Sequence, residues 1–285
     1  MPLTARHFHT VFPSVVWVCL LLAASAARPA QAEEPVVLHG DIVQGGLVFG
    51  RAPPGSEVRF GGERLMISPE GLFVFGFDRD ETHRRELVVN LPGGETWQQS
   101  ILPLEREFDI QRIDGLDSAH VTPPHSVLER IRNEAAMTRR ARERRDARTD
   151  WTEGWIWPVK GPITGVYGSQ RILNGQPRNP HWGLDIAAPT GTPVKAPAAG
   201  IVTLTHPDMY FSGGIIFLDH GHGLVSAFLH LSAILVEEGQ RIEQGELIGE
   251  VGATGRATGP HLDWRINIGN VRVDPKLLLP PLERP

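Results

Sequence analysis

The chain has 285 residues, 41% hydrophobic and 21% charged, with a formal net charge of −5. That length can bury a substantial core as one large or two ordinary domains, and the balance excludes both a disordered chain and a general nucleic-acid binder. A single cysteine, Cys19, excludes intrachain disulfides and all cysteine-based zinc sites, so histidine and carboxylate remain as metal ligands. Thirty-one glycines and 24 prolines predict many turns between short strands, hence a mainly β protein.

Residues 1–32 read as a signal peptide. Arg6 and His7 precede the apolar run from Val15 to Leu22, and Ala24-Ser25-Ala26 and Ala30-Gln31-Ala32 both offer small-x-small cleavage sites. The run is shorter than the roughly 20 apolar residues of a stable span, and no later segment approaches that length. The expectation is an exported protein, periplasmic first and secreted second, with no membrane span after cleavage.

Residues 33–110 carry short β-branched or aromatic runs: Val36-Val37-Leu38, Leu47-Val48-Phe49, Val58-Arg59-Phe60, Leu72-Phe73-Val74-Phe75 and Leu87-Val88-Val89. Turn signals such as Pro53-Pro54-Gly55 and Pro92-Gly93-Gly94 separate them at about ten-residue spacing, which predicts a small β-sandwich of immunoglobulin-like type. His39 and His83 sit beside turns and read as solvated side chains. A linker over residues 111–154 follows, with a charged helix over about 125–148 that starts at a Ser126/Glu129 capping box. Eight arginines from Arg130 to Arg148 alternate with Glu129, Glu134, Glu143, Asp146 and Asp150, which predicts a solvated helix rather than a nucleic-acid contact.

Residues 155–285 return to strands and glycine turns, an antiparallel sheet or barrel, and this region carries the chemistry. His181 and Asp185 are four apart; in a straight strand they would stand about 13 Å apart, so only a bend near Gly183 brings imidazole and carboxylate together. In the run from His261 to Ile266, His261, Asp263 and Arg265 share one face while Leu262, Trp264 and Ile266 share the other. A polar face of that kind lines a groove or holds an ion, because burying it unpartnered is costly. His230 ends the apolar strand Phe228-Leu229. His220-Gly221-His222 is a competing set, but it flanks a glycine turn and has no partnered carboxylate.

Taken in order, His181-Trp182-Gly183-Leu184-Asp185, Ala198 to Val202, His220-Gly221, His230-Leu231-Ser232 and Gly255 to Trp264 resemble the lysostaphin/LytM-type zinc endopeptidases, which cleave peptide cross-bridges of bacterial peptidoglycan. The resemblance covers about Trp155 to Val273. It implies a β-sheet groove with one Zn2+ held by His181 and Asp185, with His230 and His261 as catalytic histidines and a peptidoglycan peptide as substrate. Asp263 stands where the family has its third ligand histidine. A carboxylate is a legitimate zinc ligand, so His181, Asp185 and Asp263 form the expected set. Two carboxylate ligands would cancel the ion's charge and leave its bound water less acidic, which predicts a weaker hydrolase that Asp263→His would improve. In an alternative arrangement His261 is the ligand and Asp263 its orienting partner. The function that follows is an exported zinc metalloendopeptidase of the cell wall. The alternative is a non-catalytic LytM-fold binder or activator of a peptidoglycan amidase.

Overall fold

The structure, a computed structural model, describes residues 34–281. The signal-peptide reading of residues 1–32 therefore lies outside the described residues. The described chain is mainly β, and no helix in it is long and apolar enough to cross a membrane.

The N-terminal strands form two antiparallel sheets. One orders Val37–Gly40, Leu47–Arg51 and Leu72–Gly76; the other orders Glu63–Arg64, Glu57–Phe60, Arg85–Asn90 and Thr96–Ile101. Alternation puts Val58 and Phe60 inward from one sheet and Val48, Phe73 and Phe75 inward from the other, so the two share a core in which Phe60 and Phe75 pack 4.2 Å apart between ring centroids. Within the first sheet, Leu47–Arg51 and Leu72–Gly76 are buried on both faces, whereas Val37–Gly40 is largely exposed. Leu47 and Val74 point away from the phenylalanine core and join the core of the C-terminal region, and Phe49 stacks on Trp151 at 5.1 Å. Double-sided burial explains why Leu47-Val48-Phe49 and Leu72-Phe73-Val74-Phe75 are unbroken apolar runs instead of alternating ones.

The C-terminal region is built on an eight-stranded antiparallel sheet. Its order is Arg241–Ile242, Gly200–Met209, Gly213–Asp219, Leu224–Leu231, His261–Ile268, Leu184–Ala187 and Ile163–Gly165, with Val271–Val273 pairing beside His261–Ile268. The sheet is open, not a closed barrel. One face carries Leu184, Ile186, Leu262, Trp264 and Ile266 into the main core; the other carries Leu204, Phe217, Ala227 and Leu229 and is covered by the helix Leu128–Ala141 through Met137 and Ala141.

That helix departs from expectation at both ends. A 3-10 turn, His125–Val127, precedes it, and no side chain caps the start: Ser126 lies inside the turn, so the Ser126/Glu129 capping box does not form. The helix stops at Ala141, short of residue 148. Beyond it the backbone pairs with the turn that follows Asp219, His222 N–H donating to the Asp146 carbonyl and Asp150 N–H to that of His220. Nor is the charge run simply solvated. The guanidinium of Arg148 binds the buried carboxylate of Asp219, and Arg130 bonds Glu134 at 2.6 Å and Asp208 at 3.0 Å. Burial pushes the Asp219 carboxyl up to about 6, against the pull of Arg148.

Candidate active site

His261–Ile268 sits between Leu224–Leu231 and Leu184–Ala187. The antiparallel register puts Asp263 opposite Asp185 on one side and opposite Leu229 on the other. The alternation read from sequence holds, since Leu262, Trp264 and Ile266 are fully buried in the core while His261, Asp263 and Arg265 face the cleft. His181 reaches the same point because the chain is not strand-like before Leu184. His181 N–H donates to the Ser169 carbonyl and its own carbonyl accepts from Gly168 N–H, which turns the segment over the sheet end. Gly183 allows this approach, for a Cβ there would lie 2.3 Å from Asp263 Oδ1.

The result is a buried group of His181, Asp185 and Asp263 whose ligand atoms all lie within 4.8 Å of one another. His181 Nε2 is 3.0 Å from Asp185 Oδ1 and 3.5 Å from Asp263 Oδ2. The shorter approach is too poorly aligned for a hydrogen bond, so His181 Nε2 and Asp185 Oδ1 are buried polar atoms without partners. His181 Nδ1 lies 3.3 Å from the Val166 carbonyl; donation there carries the ring proton and leaves an Nε2 lone pair aimed at the carboxylates. Two facing orphan atoms plus a third oxygen form a donor set that fits a zinc-sized ion. Burial opposes an imidazolium at His181, but Asp263 and Asp185 outweigh it and raise its pKa above the ordinary value.

Two arginines stand behind the carboxylates. Arg171 Nη2 donates to Asp185 Oδ2 at 2.6 Å, and Arg265 holds Asp263 with Nε and Nη2 at 2.5–3.1 Å. Burial works against both carboxylates, yet Arg265 and His181 keep Asp263 well below the usual carboxylate range, and His181 and Arg171 keep Asp185 low despite its neighbour Asp263. The expectation that two carboxylates would neutralise a bound ion considered the ligands alone. Each carboxylate carries its own guanidinium, which offsets negative charge that the ligands alone would bring. Arg265 was visible in the sequence as a member of the polar face. Arg171 had no local signal, because its strand, Gln170–Leu173, meets the site only through the fold.

His230 and His261 come together beside this group, with ring centroids 4.8 Å apart. Nδ1 of each lies 2.8 Å from a backbone carbonyl, Thr254 for His230 and Gly259 for His261, so each ring turns its Nε2 toward the cleft. His261 Nε2 stands 3.9 Å from Asp185 Oδ1, outside the three-residue group. Burial lowers His230 to about 4, with His261 adding to that effect and Asp263 opposing it. His230 also has φ of 66°, left-handed backbone that a side chain adopts only when its surroundings enforce it. The competing histidines go elsewhere: His220 is locked between the Ala199 carbonyl and Ser226 Oγ, and His222 packs its ring edge against Trp151. Trp264 is core, whereas Trp182 lines the cleft under the guanidinium of Arg272.

These observations agree with comparison to known proteins. Peptidase family M23 matches residues 179–275. A solved structure from Pseudomonas aeruginosa assigned to peptidase M23 is 32% identical, covering 84% of this chain and 95% of that one at a TM-score of 0.63. The chain belongs to peptidase family M23. It is 44% identical over 89 residues to the peptidoglycan DD-endopeptidase ShyA of Vibrio cholerae, 30% of this chain and 20% of that protein. It is 36% identical over 132 residues to the cell division protein DipM of Caulobacter vibrioides, 44% of this chain and 21% of that protein. The matched region thus spans about a fifth of the length of these curated relatives.

Proposed function

We propose that the protein is an exported zinc metalloendopeptidase that hydrolyses peptide cross-links of peptidoglycan. The observation that carries this reading is the pair of orphaned, facing atoms His181 Nε2 and Asp185 Oδ1 with Asp263 Oδ2 beside them. His181, Asp185 and Asp263 would hold the ion. When bound, zinc supplies Lewis-acid polarisation of the scissile carbonyl and an acidified water. Arg171 and Arg265 orient the two carboxylates and keep them ionised. A ring held neutral to about pH 4 carries protons poorly at pH 7, so His230 serves as an acceptor that orients substrate or water through Nε2. Proton transfer to the leaving amine then falls to His261, the more exposed of the two rings. The relatives' peptidoglycan activity supports the substrate class. The strands before residue 110, read as an immunoglobulin-like accessory module, would position the catalytic sheet against the wall.

A second reading, a metal-free LytM-fold binder or amidase activator, is favoured by one observation: Arg171 bonds the outer oxygen of Asp185, and Arg265 bonds both oxygens of Asp263, including the Oδ2 that faces His181. One experiment separates the two. The purified protein is assayed for zinc by elemental analysis and incubated with sacculi, and released muropeptides are resolved by mass spectrometry. One zinc per chain and cleaved cross-links support the peptidase. A zinc-free protein that releases nothing alone but accelerates an amidase supports the second reading.

A further inference from the structure

A cavity of about 560 Å³ opens between the helix Leu128–Ala141 and the loop carrying His181, and it reaches His230. Five arginines line it: Arg171, Arg178, Arg256, Arg265 and Arg272. Arg171 and Arg265 are matched by Asp185 and Asp263. Among the described residues the one carboxylate on the cavity wall is Glu134, already engaged by Arg130 at 2.6 Å and the backbone N–H of Tyr210 at 2.9 Å.

Three guanidiniums are left with neutral contacts alone among the described residues. Arg256 touches the His120 carbonyl at 3.4 Å and lies over Phe211; Arg272 lies over Trp182 at 4.6 Å; Arg178 donates to the Val121 carbonyl and Gln176 Oε1. Burial, followed by Arg265, Arg171 and Arg178, pulls Arg256 down to about 10, so it stays charged at neutral pH in like-charged surroundings. Asp263 acts on Arg256 and Asp78 on Arg272 only at a distance. Planar guanidiniums gathered in a concave site with no ion-pairing carboxylate in contact among the described residues match carboxylates, which they bind in two-pronged fashion.

We infer that this cavity is a subsite for the free carboxylates of an acidic peptide, read by Arg178, Arg256 and Arg272, which aligns the peptide beside His230. This deepens the endopeptidase reading and rests on it for the identity of the ligand as substrate. A stem peptide whose carboxylates are amidated loses the attraction and leaves the arginines facing neutral groups.

The test uses the full-length protein treated with chelator, so binding is read without hydrolysis. A synthetic stem peptide with free carboxylates and the same peptide fully amidated are titrated by calorimetry, with inorganic phosphate at matched ionic strength as a third ligand. The free acid should bind roughly tenfold to a hundredfold more tightly than the amide, the effect of a hydrogen bond to a charged group. Arg256→Gln and Arg272→Gln should each shrink that ratio, and Arg64→Gln on the N-terminal sheet should leave it unchanged. Equal affinity for acid and amide overturns the inference without any variant, as does phosphate binding more tightly than the peptide. Hydrolysis by the zinc-loaded protein is scored separately. Acid preference without cleavage keeps the subsite and removes the peptidase reading; cleavage of both peptides at equal efficiency does the reverse.

Discussion

Asp185 stands directly opposite Asp263 across two antiparallel strands, and each carboxylate is gripped by a different arginine. Like charges in directly opposed positions destabilise a sheet. Here Arg171, Arg265 and the imidazole of His181 offset the repulsion, so the five groups act as one unit.

The first prediction reverses the simple ligand argument. Asp263→His restores the family's ligand type but strands Arg265 next to a neutral ring. Breaking a sealed ion pair costs roughly 3–5 kcal/mol. Since Arg265 keeps 30% of its side chain exposed, about 2–3 kcal/mol is expected here by urea unfolding. Zinc content should fall, and Asp263→His/Arg265→Gln should recover both properties. A single variant with full stability and tighter zinc would show that the two residues are uncoupled.

Gly183→Ala tests the close approach that brings His181 over the sheet. Its Cβ would meet Asp263 Oδ1 at 2.3 Å, Arg265 Cγ at 2.7 Å and the Trp264 carbonyl at 2.7 Å. Backbone on one side prevents relief, so the carboxylate must move. Zinc affinity, measured by competition with a chromophoric chelator, should drop about tenfold to a hundredfold, as for other losses of ligand positioning. Unchanged affinity would mean that Asp263 does not contribute to the metal group.

The pH dependence of stability contains a contribution from His220. Trp264 Nε1 donates to Ser226 Oγ, the Ser226 hydroxyl meets His220 Nε2 at 2.8 Å, and His220 Nδ1 meets the Ala199 carbonyl at 2.6 Å. Burial lowers this imidazole from 6.5 to about 4. Between those values the unfolded chain binds the proton and the folded chain does not, so stability rises with pH across that window and is lost as pH falls from about 6.5 toward 4. The contribution amounts to about 3 kcal/mol at most. Denaturant midpoints should show a shallower slope over this range for His220→Phe than for the parent; identical slopes would exclude the residue as the source.

The N-terminal strands should melt with the eight-stranded C-terminal sheet. Leu47 and Val74 are in the same apolar cluster as Trp264 and Ile266. Leu47→Ala should therefore cost about 2–5 kcal/mol and preserve one cooperative transition by calorimetry. Two separate transitions would show that the shared core is not energetically continuous.

Much of the site was written in local sequence because its signals are short-range. Period-two alternation from His261 to Ile266 assigned Trp264 to the core and Asp263 to the cleft, and the glycine at 183 marked the bend that lets His181 approach Asp185. The strands of both regions were marked by short apolar runs set between glycine and proline turns. The end of the helix at Ala141 was not legible, because backbone hydrogen bonds from His222 and Asp150 compete with helical ones only once the sheet exists. Apart from Arg265, the arginines of the cleft were invisible for the same reason. Arg171 and Asp185 are 14 residues apart, and Arg178, Arg256 and Arg272 are separated along the chain by up to 94 positions, yet they line one cavity. Sequence alone determined which side chains of the strand His261–Ile268 face the cleft, since strand pleating is a property of neighbouring residues. Only the tertiary structure decided which charges meet there, since Coulomb interactions depend on separation in space and on burial, and both are set by strand order.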